Sequence, residues 1–321
     1  MWRRFSCAAA LCGVVVSHAY ADTLWTGSNS DSWFDAGNWD NGVPHTAGER
    51  AQIESSTDFA NWPVIKSGET VDMGERIFLP AGPAGVGQTS FGRLTVESGG
   101  VLNVDDDFRA GDDDGFADRP MVGSFVVVGD VTFSDTARFG DNEFMTLIVD
   151  VTGSMISTAD DEDFRVGTGD DSNVTFNISG AGLVSVAGPF EMDAGGLLTL
   201  SGDGTLRLSE YTIEDEDDLG NPIFIPVTKA DLIDLMADYA ADGLVKGLTN
   251  SYSGGEALTG LGNGVAYFEG SNSLSFVSVP EPTALYLSLF CGLAVASHRL
   301  RRVRSLSAKR RNAARVQFGG R

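Results

Sequence analysis

Carboxylates are the only groups in this chain numerous and clustered enough to suggest chemistry. Asp105, Asp106, Asp107, Asp112, Asp113 and Asp114 fall close together, and Asp160, Asp161, Asp163, Asp170 and Asp171 form a second group. Ca²⁺ takes roughly six to eight oxygen ligands, so acidic turns stacked on one another could hold it. Asp105, Asp107, Asp112, Asp113 and Asp114 are the candidate ligands, and Ca²⁺ is the one cofactor that comes into question. Neither cluster has the spacing of an EF-hand or of a calcium-binding nonapeptide repeat, so a solvated acidic edge is the simpler account. Other chemistries find no footing. His45, beside Pro44, is the single histidine between the two terminal segments, and one imidazole builds neither a Ser/His/Asp arrangement nor a histidine metal site. Cys7, Cys12 and Cys291 lie in the terminal segments, which leaves residues 22–282 without disulfides or thiolate ligands. No glycine-rich phosphate loop is present. Arg109 and Arg165 each sit among aspartates, but at the same place in a repeated phrase, as rungs of a ladder would. Arg93 and Arg207 have no recognisable partner. No catalytic residue is assigned, and the chain is not expected to be an enzyme.

The charge is strongly partitioned. All 45 acidic residues but only 11 of the 22 basic ones lie between Asp22 and Pro282, a net charge of −34 for that segment. Such a surface repels nucleic acid, whose binding needs Lys and Arg against phosphates, and it repels anionic lipid and anionic polysaccharide.

The elements that would carry these carboxylates repeat. Asp105-Asp-Asp-Phe-Arg-Ala-Gly-Asp-Asp-Asp114 returns as Asp161-Glu-Asp-Phe-Arg-Val-Gly-Thr-Gly-Asp170, with weaker copies at Ala137-Arg-Phe-Gly-Asp141 and Phe190-Glu-Met-Asp-Ala-Gly195. Taking Gly111, Gly140, Gly167 and Gly195 as the closing glycines gives spacings of 29, 27 and 28 residues. Each unit opens on an apolar triplet: Leu94–Val96, Phe125–Val127, Leu147–Val149, Phe176–Ile178 and Leu198–Leu200. A glycine-rich turn and an alternating strand such as Val101-Leu-Asn-Val104 follow. A period near 28 fits one coil of a three-faced β-solenoid, whose coils share a core only when stacked. Leu94, Val96, Val101 or Leu102, Val104, Phe108 and Phe164 should face inward. The fold class is therefore all-β, a right-handed parallel β-solenoid; an antiparallel β-sandwich is the alternative. Thr228–Ala240 has a helical apolar period and should form one C-terminal capping helix, spanning about residues 228–241, with Thr228 and Asp231 at its start and Gly243 at its end.

Before the repeats, Trp25-Thr-Gly27, Trp33, Asn38-Trp39 and Gly42-Val-Pro44 form an aromatic opening, joined by Phe59 and Trp62. Large aromatics can cover the first coil, which has no neighbour on one side; a sugar-binding platform is the functional counterpart. The pattern resembles the opening of large exported bacterial β-helix proteins of autotransporter-like design, including those that planctomycetes carry with a PEP-CTERM tag.

Both termini read as export signals. Arg3 and Arg4 precede an apolar stretch from Phe5 to Val16, and Ala19-Tyr-Ala21 is a small-x-small cleavage site before Asp22, the layout of a signal peptide over residues 1–21. At the other end Val279-Pro280-Glu281-Pro282 precedes an uncharged run from Thr283 to Ser297, then Arg299, Arg301, Arg302 and Arg304. The run is slightly shorter than the ~17–25 residues of a usual spanning helix, and the cations would stay cytoplasmic. This layout resembles the PEP-CTERM sorting signal. The resemblance implies recognition by an exosortase, a transient membrane anchor, and delivery to the cell surface or extracellular matrix. The basic tail, running to Arg321, is longer than that family's. The organisation expected is thus a signal peptide (1–21), a Trp-rich cap with the first coils (22–90), solenoid repeats (91–210), a C-terminal cap (211–278) and the sorting signal (279–321). Signal peptidase and exosortase are the partners foreseen, and extracellular polysaccharide a further one. The role is structural or adhesive; a polysaccharide-acting β-helix enzyme or a carbohydrate-binding module is the alternative.

Overall fold

The structure, a computed structural model, describes residues 21–45, 48–80, 88–111, 120–141, 144–169, 171–216, 222–248, 259–262, 264–270 and 272–278. It is a β-solenoid of about six turns. Each central coil has three strands of decreasing length, as in Ser90–Val96, Val101–Val104 and Phe108–Ala110, then Met121–Val127, Asp130–Phe133 and Ala137–Phe139. Stacking places each strand beside its counterpart in the next coil. The result is three faces: a first and a third of seven strands each, and a second of nine. Pairing between coils is parallel throughout: Leu94 lies opposite Phe125, Leu102 opposite Val131, and Phe108 opposite Ala137. Leu94–Val96 and Val101–Val104, which a sandwich would pair with each other, belong to different faces.

Alternation drives this arrangement. Leu94, Val96, Leu102, Val104, Phe108 and Phe164 are fully buried, while Val101 points partly outward, which resolves the choice between Val101 and Leu102. Two alignments read from the sequence are corrected by the register. Val149, not Leu147, lies opposite Phe125, and Leu147 lies opposite Gly123. A shift of two residues preserves which side faces the core, so the burial pattern could not expose it. Gly195 is not the fourth closing glycine. Phe190–Met192 pairs with Phe164–Val166, so Asp193 follows where Gly167 closes the coil before it. Gly111, Gly140 and Gly167 share a left-handed backbone, with φ of 83°, 77° and 67°; at Gly195 a Cβ would instead crowd the Ser172 side chain and the backbone carbonyls of Gly167 and Ser172.

The core has an aromatic spine. On the third face the inward pair is Phe108 with Ala110, then Ala137 with Phe139, then Phe164 with Val166. Large and small residues exchange places in the middle coil, so Phe139 sits 5.4 Å from Phe108 and 5.2 Å from Phe164. Phe125, Phe133 and Phe176 close around them from the other faces.

Both ends are covered. At the start Trp25, Trp33 and Trp39 are buried and meet edge to face at 4.9 Å. Their indole N–H groups donate to the carbonyls of Asn61, Pro44 and Trp33. Asn38 fixes the loop by accepting from the N–H groups of Asn29 and Ser30. These three rings are a lid on the core, and none presents a free face to a sugar. At the far end the helix, Lys229–Ala241, lies beside the last third-face strand. It buries Leu232, Met236 and Ala240, and the Tyr239 hydroxyl accepts from the Met192 N–H at 3.0 Å. The Asp231 carboxylate holds the helix start by accepting from the Thr228 N–H and hydroxyl. Val245–Leu248 closes the first face in parallel, while Ser273–Ser278, Val265–Glu269 and Thr259–Gly262 extend the second in antiparallel fashion. Ala19, the segment 1–20, Val279–Pro282, the run 283–297 and Arg299, Arg301 and Arg302 lie outside the described residues, as do Asp112, Asp113 and Asp114. Ala21 and Asp22 begin the first strand, Ala21–Leu24. Among the described residues no helix is long and apolar enough to cross a membrane.

Candidate functional site

The repeated acidic phrases converge on the third face, where strand alternation aims one side chain of each coil outward. Those positions are Arg109, Arg138, Arg165 and Glu191, in register, with the buried Phe78 opposite Arg109 in the coil before. Three arginines thus occupy the same place on neighbouring strands, whose backbones lie ~4.8 Å apart. Like charges so close would repel, and the flanking acids offset this. Arg109 donates twice to Asp107 Oδ2, at 3.0 and 2.6 Å. Arg138 reaches Asp141 at 3.1 Å. Arg165 pairs with Asp163 on one side and with Glu191 at 2.9 Å on the other. Phe-Arg-x-Gly with its preceding aspartates is therefore a charge-neutralised ladder. Arg93, without a partner in the sequence reading, pairs with Asp58.

The ladder bears on two of the five candidate calcium ligands, Asp105 and Asp107; Asp112, Asp113 and Asp114 lie outside the described residues. Asp105 is exposed, and the carboxylates that approach one another are those of Asp106, Asp107 and Asp135, within 4.8 Å. Asp107 Oδ2 already receives Arg109, and Arg76 Nε stands 2.9 Å away, an ion pair whose N–H is not aimed for a hydrogen bond. These three carboxylates, one of them engaged by two guanidinium groups, do not by themselves supply the roughly six to eight oxygens that Ca²⁺ takes.

Glu75 is the acid most disturbed here. Burial raises its pKa, and the neighbouring Asp106 carboxylate raises it further, against the lowering pull of Arg50 and Arg76. A carboxylate with a raised folded pKa costs nothing while both states are protonated. It destabilises the fold increasingly as pH climbs from its unfolded value of about 4.5 through the folded one. Glu75→Gln should therefore raise the melting temperature at pH 7.5 and leave it unchanged below pH 4. Differential scanning calorimetry at the two pH values measures this, and equal shifts would refute it.

A second feature lies between the end of the solenoid and a hairpin, Tyr211–Glu216 with Pro222–Val227. Two adjoining cavities of about 550 and 680 Å³ share Asp163, Pro189, Tyr211 and Ile213 in their walls. Asp160 and Asp161 border one, Glu191 and Asp193 the other. Phe224 is 67% exposed at the rim and Ile213 43%. Tyr211 and Tyr239 both line the groove, and burial raises the pKa of each phenol, with Glu191 adding to the rise. Both therefore stay neutral hydrogen-bonding groups at physiological pH.

No protein-family model, no curated protein and no solved structure matches this chain.

The geometry alone therefore orders the candidates. The structure brings Arg109, Arg138 and Arg165 into one ladder, as their repeat positions implied. It separates Asp105 from Asp107, which point to different environments. His45 is exposed, its Nδ1 2.8 Å from the Val43 carbonyl. The groove was missed by sequence reading because its walls come from five segments. The available signal was local: Tyr211 and Ile213 alternate ahead of an acidic turn, and Ile223, Phe224 and Ile225 follow it, a hairpin pattern.

Proposed function

We propose that this chain is an exported, exosortase-sorted protein of the cell surface or extracellular matrix, with a structural or adhesive role. The observation that carries the reading is a rod covered at both ends, by tryptophans on one side and by a helix and four strands on the other. Covered ends favour a self-contained displayed rod over one that polymerises through its strand edges. The outward ladder of matched Arg and Asp side chains gives the third face a constant, hydrated surface, which suits a spacer or scaffold. The absence of cysteine between Asp22 and Pro282 means that the rod is held by its core alone. The sorting motif Val279–Pro282, the apolar run and the arginines beyond it supply the route. Mass spectrometry of protein released from the cell surface should find a mature chain that starts at Asp22 and ends near Pro282. A mature species still carrying Arg321 would overturn the processing, and an exclusively cytoplasmic one the whole reading.

A further inference from the structure

We infer that the groove between the solenoid end and the Tyr211–Val227 hairpin binds an extended, cationic, apolar peptide segment of another protein. The inference stands apart from the export reading, since it rests on the groove alone.

Three properties of the groove point to that ligand. The first is charge. Asp160, Asp161 and Asp193 border it, and among the described residues no cation pairs with them. Arg165, the nearest guanidinium on the ladder, is already engaged by Asp163 and Glu191. The field is strongly negative, and a cleft with low-dielectric walls focuses it. The second is apolar surface. Phe224, Ile213 and Ile225 are each more than two-fifths exposed, and they belong to one short hairpin. Phe224 is the most exposed large apolar side chain among the described residues, and an exposed aromatic beside carboxylates also attracts cations through its ring face. The third is backbone. The hairpin forms a two-stranded sheet that pairs with no other strand among the described residues. Tyr211, Thr212 and Ile213 all line the groove, so residues of both hairpin faces border it and the strand presents its edge. An added strand gains main-chain hydrogen bonds there, while alternate side chains settle into acidic and apolar surroundings. Pro222 and Pro226 lack N–H groups, which leaves the Tyr211 strand as the better edge for addition. A second copy of this chain is a poor occupant, because its body carries −34.

Fluorescence anisotropy on the purified full chain tests this, with a labelled peptide of alternating arginine and leucine as probe. A glutamate–leucine peptide and a neutral oligoglucan serve as comparison ligands. The cationic peptide should bind and the other two should not. Phe224→Ala should weaken binding about tenfold, as loss of an aromatic anchor does, without changing the circular dichroism spectrum. Asp160→Asn with Asp161→Asn should also weaken it and flatten its salt dependence. Unchanged affinity in Phe224→Ala would mean ion exchange on an acidic surface and would overturn the proposal. Binding of the oligoglucan, lost in Phe224→Ala, would overturn it in favour of a glycan site. No binding of any probe would overturn it as well.

Discussion

Phe139→Ala is expected to lower stability by ~3–5 kcal/mol, the range for a fully buried Phe truncated in a core that closes only partly. Phe139 is fully buried and has four aromatic neighbours: Phe108, Phe133, Phe164 and Phe176. Its strand neighbours across the coils, Ala110 and Val166, are too small to fill the space it would leave. The void would lie mid-rod, where both flanking coils are fixed by their own pairing and cannot move in. Urea unfolding followed by circular dichroism should show a midpoint well below that of the unaltered protein. Phe34→Ala, at a residue 42% exposed in the N-terminal cap, should change it little. Comparable midpoints for the two variants would mean that the spine is not the main source of cohesion.

Gly167→Ala is the second large effect. Its φ of 67° costs a non-glycine residue ~1–2 kcal/mol. A Cβ at this position would also run into the backbone of Gly195 and Gly196 in the next coil. Backbone cannot rotate aside as a long side chain can, so overpacking adds ~1–3 kcal/mol more. Gly68→Ala separates the two contributions. Its φ is 82°, but nothing lies within 4 Å of the added carbon, so only the conformational part remains. Melting curves of the two variants should differ by several degrees, with Gly167→Ala the lower. Equal losses would show that the coils can separate locally at little cost.

The coil architecture was legible because solenoid stacking imposes the same physical demand on every turn. Phe108 and Phe164 hold equivalent places in their coils, so they share a sequence phrase, and the glycines after them share a left-handed backbone. Alternation also identified the inward residues, down to a choice between Val101 and Leu102. Register was less legible. Leu147 and Val149 are both apolar and both inward, so nothing local distinguishes the one opposite Phe125. Gly195 misled for a related reason: a Cβ there would crowd Ser172 and Gly167, and contact between coils leaves no local mark. The partners of the acidic residues were not legible, because sequence shows how many carboxylates are present and not what faces them. Arg76 and Arg109 reach Asp107 from two different coils. The groove was hidden more deeply, since Asp160, Pro189, Tyr211 and Phe224 are neighbours only after the last coil has closed.

The exchange of large and small residues in the middle coil gives the rod an internal phase. Ala137 and Phe139 fit between Phe108 with Ala110 on one side and Phe164 with Val166 on the other. If this coil were excised, Phe108 would lie directly over Phe164 and Ala110 over Val166, the same stacking that Phe164 and Val166 already make with Phe190 and Met192. What would be lost is Phe139, the ring that reaches both Phe108 and Phe164 from the other inward place. Shortening the rod at its centre would therefore cost the contacts of one ring and not the fit of its neighbours.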